Sequence, residues 1–255
     1  MVCTMSRTRA STSVGGRAGS NSMVAQQPDF DGVDFSSKDV RATIEEYEGH
    51  AILFRQCDFT RAEMQDLDLA GTVFDHCTLN GAKLRECVLD RAHIIGGSCV
   101  AADFASADLN DAIFHCVELS RARFAGALLA DARFEECRMI GADLTSLRGL
   151  TVTLRIKECN LQLANFQDTD LRGADLTGSD LTEADLRGTD VRDAVFSRCR
   201  LHGIDLSHTR LDGADLRGAD LGEITADMPN QLRGAVISHA QAADICVALG
   251  LTVLD

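Results

Sequence analysis

A period of five residues constrains this chain more than any other feature. From Leu171 to Leu186 it reads Leu-Arg-Gly-Ala-Asp-Leu-Thr-Gly-Ser-Asp-Leu-Thr-Glu-Ala-Asp-Leu. Leu recurs at 171, 176, 181 and 186, with Asp before each and a small residue (Thr169, Ala174, Ser179, Ala184) one place earlier still. Five matches neither the 3.6 of a helix nor the 2 of a long strand. Within each five, the small residue and the Leu are two apart. In extended chain they point to one side, and the Asp between them to the other. The next two residues are polar or small and suit a corner. Each five is then one short side of a coil wound around a stack of Leu and Phe.

The register extends far beyond this stretch. Forward centres are Val191, Phe196, Leu201, Leu206, Leu211, Leu216 and Leu221; backward ones are Phe166 and Leu161, giving 13 consecutive fives. A second run of 18, from Phe59 to Leu144, is again centred without exception on apolar residues. Leu161, Phe166, Leu171, Leu176, Leu181 and Leu186 are the predicted core of the second run, each contributing roughly 1.5–3 kcal/mol on burial. The runs are out of step: Leu144 and Leu161 are 17 apart, two more than three repeats. A repeat of this kind predicts one elongated solenoid in which each unit contacts only its neighbours.

The organisation read from the pattern is a polar tail over 1–27, a cap with first repeats over 28–56, and a first run over 57–144. A loop or bulged coil follows over 145–158, then a second run over 159–223 and a C-terminal cap over 224–255. Residues 1–27 carry Arg7, Arg9 and Arg17 and no acid. They fit a disordered tail, an extension upstream of a start at Met23, or an organelle transit peptide; a secretory apolar core is missing. Phe30, Phe35 and Val40 continue the beat of five, and Thr43–His50 breaks it. At the other end Ser238 is an N-cap for a helix over 239–249, Gly250 a stop, and 251–254 a final short strand. No stretch reaches the 18 apolar residues of a membrane span.

The net charge of −14 lies in the coil. Residues 57–144 hold 15 acidic and 8 basic side chains, net −7; residues 159–223 hold 13 and 7, net −6. A direct nucleic-acid binder has the opposite sign. Of the ten Cys, Cys57, Cys77, Cys87, Cys137, Cys159 and Cys199 occupy the small inward slot and Cys99 is a centre. They read as small buried hydrophobes, and free thiols in number fit a reducing cytoplasm. His50, His76, His93, His115, His202, His208 and His239 form no metal-ligand spacing, and Cys199 and His202 should point opposite ways. No phosphate-binding Gly loop is present. The expectation is therefore no catalytic residue, no cofactor, no metal and no enzyme activity.

The Ala-Asp-Leu-X-X unit resembles that of the pentapeptide-repeat family. That resemblance implies an all-β fold, a right-handed quadrilateral β-helix, closed here by a short C-terminal α-helix. Three places are similar to the Qnr and MfpA branch of quinolone-resistance proteins. The tail Gln241-Ala-Ala-Asp-Ile-Cys-Val-Ala-Leu-Gly-Leu-Thr-Val253 is similar to the Qnr C-terminal pattern, the entry Leu53-Phe54-x-x-Cys57-Asp58-Phe59 to its first coil, and Asn160-Leu161-x-x-Ala164-Asn165-Phe166 to its re-entry after a loop. The chain departs from that branch in its longer uninterrupted coils and in where the break falls. The branch imitates duplex DNA and binds bacterial type II topoisomerases.

What the resemblance implies here is a homodimer that binds DNA gyrase or topoisomerase IV and protects it from quinolones or antibacterial toxins. Partner contacts would come from the outward acids Asp170, Asp175, Asp180, Asp185, Asp190, Asp205, Asp215 and Asp220. A projecting loop with Arg148, Leu150, Leu154 and Arg155 is a second contact candidate; the alternative is a bulged coil in which Val152, Leu154 and Ile156 still form a strand. Dimerisation would use Ile245, Leu249, Leu251 and Val253. Four fives per coil and about 4.8 Å per coil make the 31 fives a rod of roughly 37 Å. Its 13 net negative charges are then one per roughly 2.9 Å, against one per about 1.7 Å for duplex DNA. The alternative function is a non-enzymatic scaffold of unknown target, in which the acid only solvates the rod.

Overall fold

Alternation along the chain builds the fold. Ala184 and Leu186 are buried and Asp185 between them faces outward, and among the described residues this pattern repeats from Ile52 to Leu144 and from Leu154 to Leu221. The computed structural model describes residues 28–47, 49–149, 154–206, 208–225 and 227–254. The expectations for 1–27, Leu150 and Val152 lie outside them. Corners are tight turns: the Ala184 N–H donates to the Leu181 carbonyl at 2.9 Å, and Glu183 between them has φ 58°. Left-handed backbone costs a non-Gly residue about 1–2 kcal/mol. Here the corner amide offsets it by donating to the next coil, as Glu183 does to the His202 carbonyl at 2.8 Å.

Stacked coils pair in parallel. Strands β1 (Asp29–Asp31), β2 (Leu53–Arg55), β3 (Val73–Asp75), β4 (His93–Ile95), β5 (Ile113–His115), β6 (Arg133–Glu135) and β7 (Arg155–Lys157) form one sheet in that order. Single bridges continue the ladder from Arg155 through Asp175, Val195 and Asp215 to Val236. From β2 to β6 each partner is 20 residues on, so four fives close one coil and the solenoid has four faces. Inside, Phe rings stack coil on coil: Phe104 on Phe124 at 5.1 Å and Phe114 on Phe134 at 4.6 Å between centroids. Leu161, Phe166, Leu171, Leu176, Leu181 and Leu186 are all buried.

The out-of-step runs are one continuous coil. Leu128 still pairs with Arg148, 20 residues on, but Arg133 pairs with Arg155, 22 on. The two extra residues therefore lie between 148 and 155. Leu154 and Ile156 are buried, and Arg155 belongs to β7. Two of the four residues assigned to a projecting loop thus sit in the coil wall, because the inward beat resumes at once.

Two local expectations are corrected, and one short helix is added. Val40 is buried but opens helix α1 (Val40–Glu45), where it packs with Ile44 one turn later; Asp39 caps the helix by accepting from the Arg41 N–H. A five-residue beat and an i,i+4 helical pair coincide over so short a span. Helix α2 (Met228–Gln231), with Pro229 in its first turn, interrupts the coil before Val236. Residues 251–254 form no strand, since no neighbouring chain edge is there to pair them. Helix α3 (His239–Ala248) carries the expected Ser238 cap, completed by Gln241. The buried Gln241 Nε2 donates to the Leu216 and Ala219 carbonyls at 2.8 and 2.9 Å. With buried Ile245, this seals the last coil.

Candidate functional site

An outward residue in one five lies above its equivalent four fives later, so the surface is a set of charge columns. The eight Asp of the second run divide two to a face: Asp170 with Asp190, Asp175 with Asp215, Asp180 with Asp220, and Asp185 with Asp205. They form no single acidic surface. Each also has a basic partner, Arg187 serving two of them. Arg172, Arg187, Arg192 and Arg217 fold back on Asp170, Asp185, Asp190 and Asp215 at 2.6–2.7 Å. Lys157 holds Asp175, Arg200 holds Asp180, His202 holds Asp220, and Arg187 reaches Asp205 at 3.6 Å.

These contacts keep the carboxylates charged. The guanidinium hydrogen bonds lower Asp170, Asp185 and Asp190 below the usual range, and Asp215 to about 2. Burial alone would raise Asp175 and Asp180. Hydrogen bonds from Lys157 and Thr177, and from Thr182 and Gln162, outweigh it and lower both. The His202 hydrogen bond lowers Asp220. Charged as they are, the eight acids are compensated within a few ångströms.

Acid outside ion pairs sits elsewhere, on the first-run face that carries Asp68, Val88, Asp108, Leu128 and, at its end, Arg148 in one column. Asp66 and Glu86 flank it at one corner, and Arg91 and Asp111 at the other. Among the described residues, Asp66, Asp68, Glu86, Asp108 and Asp111 form no ion pair. The other faces of this run are laced by Arg55–Asp29, Lys83–Glu63, Arg123–Asp103 and Arg138–Glu118. Composition could not single out this band, because the pair Asp66 and Asp68, then Glu86, then the pair Asp108 and Asp111 lie on successive coils and meet only by coil stacking.

Of the loop candidates, Arg148 lies along the wall, its Nε donating to the Gly126 carbonyl and Nη2 to that of Ser106. The C-terminal candidates separate: Ile245 is buried, whereas Leu249, Leu251 and Val253 are exposed, with Val247 and Leu254 beside them. The inward cysteines are buried as expected. Burial pushes Cys77, Cys87 and Cys199 up to about 12, which leaves them un-ionised. Cys199 faces in and His202 out. One grouping was not legible in linear spacing: His115, Cys116 and Glu136 come together because Glu136 lies one coil beyond Cys116. Among the described residues no helix is long and apolar enough to cross a membrane.

The family model for pentapeptide repeats matches eight copies, over residues 53–91, 87–124, 118–148, 159–198 and 199–223. This chain belongs to the pentapeptide-repeat family. As in the solenoid described above, the matched segments stop and restart around the two-residue insertion. Two solved structures share the fold of this pentapeptide-repeat protein across nearly its whole length. Both are trypsin-treated variants of QnrB1, a plasmid-mediated fluoroquinolone resistance protein. One is 21% identical, with a TM-score of 0.61 over 89% of this chain and 98% of the other. The second is 20% identical, with a TM-score of 0.52 over 90% and 100%. No curated protein matches the chain.

Proposed function

We propose that this pentapeptide-repeat protein is a non-enzymatic, dimeric DNA mimic of the cytoplasm. It binds a bacterial type II topoisomerase, DNA gyrase or topoisomerase IV, and protects it from quinolones or antibacterial toxins. The observation that carries this reading is an acidic parallel solenoid that spans nearly all of the QnrB1 chain and ends in an α3 cap with exposed apolar residues beyond it. Binding is competition for the basic surface on which the enzyme seats duplex DNA. Steering needs net field rather than paired charge, so we assign the larger share to the band around Asp68, Asp108 and Asp111. The ion-paired lattice from Asp170 to Asp220 contributes less. Leu249, Leu251 and Val253 supply the self-association surface, and Ile245 the seal behind it.

A supercoiling assay with gyrase and ciprofloxacin tests the function. Protection at low protein concentration is expected, and it should fall sharply when Asp68, Asp108 and Asp111 are changed to Lys. No protection at any concentration refutes the reading and leaves a scaffold for another target. Protection lost with Asp170→Lys and Asp190→Lys but kept in the first-run variant refutes the assignment of the band.

A further inference from the structure

The cluster at the end of β5 has the chemistry and spacing of a cation site. Cys116 follows His115 directly and takes left-handed backbone, with φ 56°, at the corner. This turns both side chains to the same side of the wall. One coil on, β6 pairs Glu135 with His115, and Glu136 follows into the same corner column as Cys116. The Cys116 Sγ lies 3.5 Å from His115 Nε2 and 3.8 Å from Glu136 Oε2. All three donor atoms lie within 4.8 Å of one another. A tetrahedral zinc ion with bonds of about 2.0–2.3 Å separates adjacent donors by about 3.3–3.7 Å. The two sulfur distances are close to that already. Glu136 is exposed and its side chain has room to close the third.

A second observation concerns the other ring nitrogen. His115 Nδ1 is buried and makes no hydrogen bond. A buried polar atom left in this way calls for a reason. Its nearest acid is Glu135, with Oε2 at 4.0 Å. A metal-bound imidazole characteristically turns its remaining N–H to a carboxylate, which fixes the ring and raises its basicity. Glu135 stands where that partner belongs. The wall beside the cluster is concave, lined by Gly97, Cys116, Glu118, Glu136, Arg138 and Glu158, so a fourth coordination position opens to solvent.

We propose that His115, Cys116 and Glu136 bind one divalent cation of borderline softness, of the zinc class, with Glu135 positioning the imidazole. The thiol gives up its proton to solvent and its sulfur lone pair forms the bond to the cation. Affinity therefore rises with pH. The bound ion clamps the β5 rung to the β6 rung, and water or an incoming ligand takes the open position.

Cobalt(II) titration of the chelator-treated full chain, under reducing conditions, tests the site. The expected result is a thiolate-to-cobalt charge-transfer band that saturates at one equivalent. Cys116→Ser should abolish the band, and Cys246→Ser, the change at the other half-buried described thiol, should leave it intact. Glu136→Gln and Glu135→Gln should each weaken binding by tenfold or more, with circular dichroism unchanged because all of these side chains lie on the outer wall. A band retained in Cys116→Ser, or no band in the folded wild-type chain, overturns the site. Unchanged affinity in Glu136→Gln overturns the donor set, and in Glu135→Gln the positioning role.

Discussion

Gly97→Ala tests the coil geometry at its tightest point. Gly97 occupies an inward slot whose equivalents in neighbouring coils are Cys77 and Val117, yet it has φ 73°. A Cβ built there would stand 2.1 Å from the Cys77 carbonyl oxygen and 2.8 Å from the Cys77 nitrogen. Both are backbone atoms of the coil above, and neither can swing aside as a side chain would. Left-handed strain contributes about 1–2 kcal/mol, and overpacking against a close-packed wall about 1–3 kcal/mol. The sum is roughly 2–5 kcal/mol, or on the order of 5–15 °C in midpoint for a chain of this size. Gly173→Ala is the control. It has φ 68° and nothing within 4 Å of the added carbon, so only the strain remains. Thermal melts followed by circular dichroism should show a drop at least twice as large for Gly97→Ala. Equal drops, or an unchanged Gly97→Ala midpoint, would refute the reasoning and mean that the corner relaxes to the backbone of its neighbours.

Three other outcomes follow from the same contacts. Asp170, Asp175, Asp180, Asp185, Asp190, Asp215 and Asp220 have folded-state pKa values below the unfolded value of about 3.9, so their stabilisation is complete above that pH and lost as pH falls through the folded values. The urea midpoint should decline between about pH 4 and pH 2, modestly because the pairs are largely exposed. In native protein a thiol reagent should spare Cys77, Cys87 and Cys199, which lie buried in the coil, and modify the half-buried Cys116 and Cys246; rapid labelling at Cys77 would contradict the packed interior. Leu251→Glu should convert the proposed dimer to monomer in analytical ultracentrifugation without loss of helix content, whereas Ile245→Ala should lower the melting midpoint by the equivalent of about 2–5 kcal/mol. Reversed effects would exchange the roles of seal and interface.

Most of the fold was legible in the sequence because a solenoid repeats one local rule. A small residue and an apolar centre two apart must share a side of extended chain, and that places Ala174, Leu176 and Asp175 without knowledge of distant contacts. The rule weakened where two periods overlap or where no neighbour is specified. Val40 satisfied both a five-residue beat and a helical pair, and 251–254 had strand-forming residues but no edge to join. The insertion was visible as two surplus residues, but the pairing of Arg133 with Arg155 was needed to show that the wall carries on past it.

The candidate surface divides on the same line. The inward residues, the corners, the Ser238 cap and the net acidity are properties of adjacent residues, and the chain alone determined them. Arg172, Arg187, Arg192 and Arg217 cancel an Asp only two residues away, but the remaining pairings depend on side chains one coil apart. Asp190 meets Arg210, Asp180 meets Arg200, and Cys116 meets Glu136 only because 20 residues close one coil. Only the tertiary structure therefore decided that Asp175, Asp180, Asp205 and Asp220 are paired as well, and that the lattice opened by Asp170 is spread over four faces. It also decided that the acid outside ion pairs lies around Asp68 and Asp108, because electrostatic energy follows distance in space and not position along the chain.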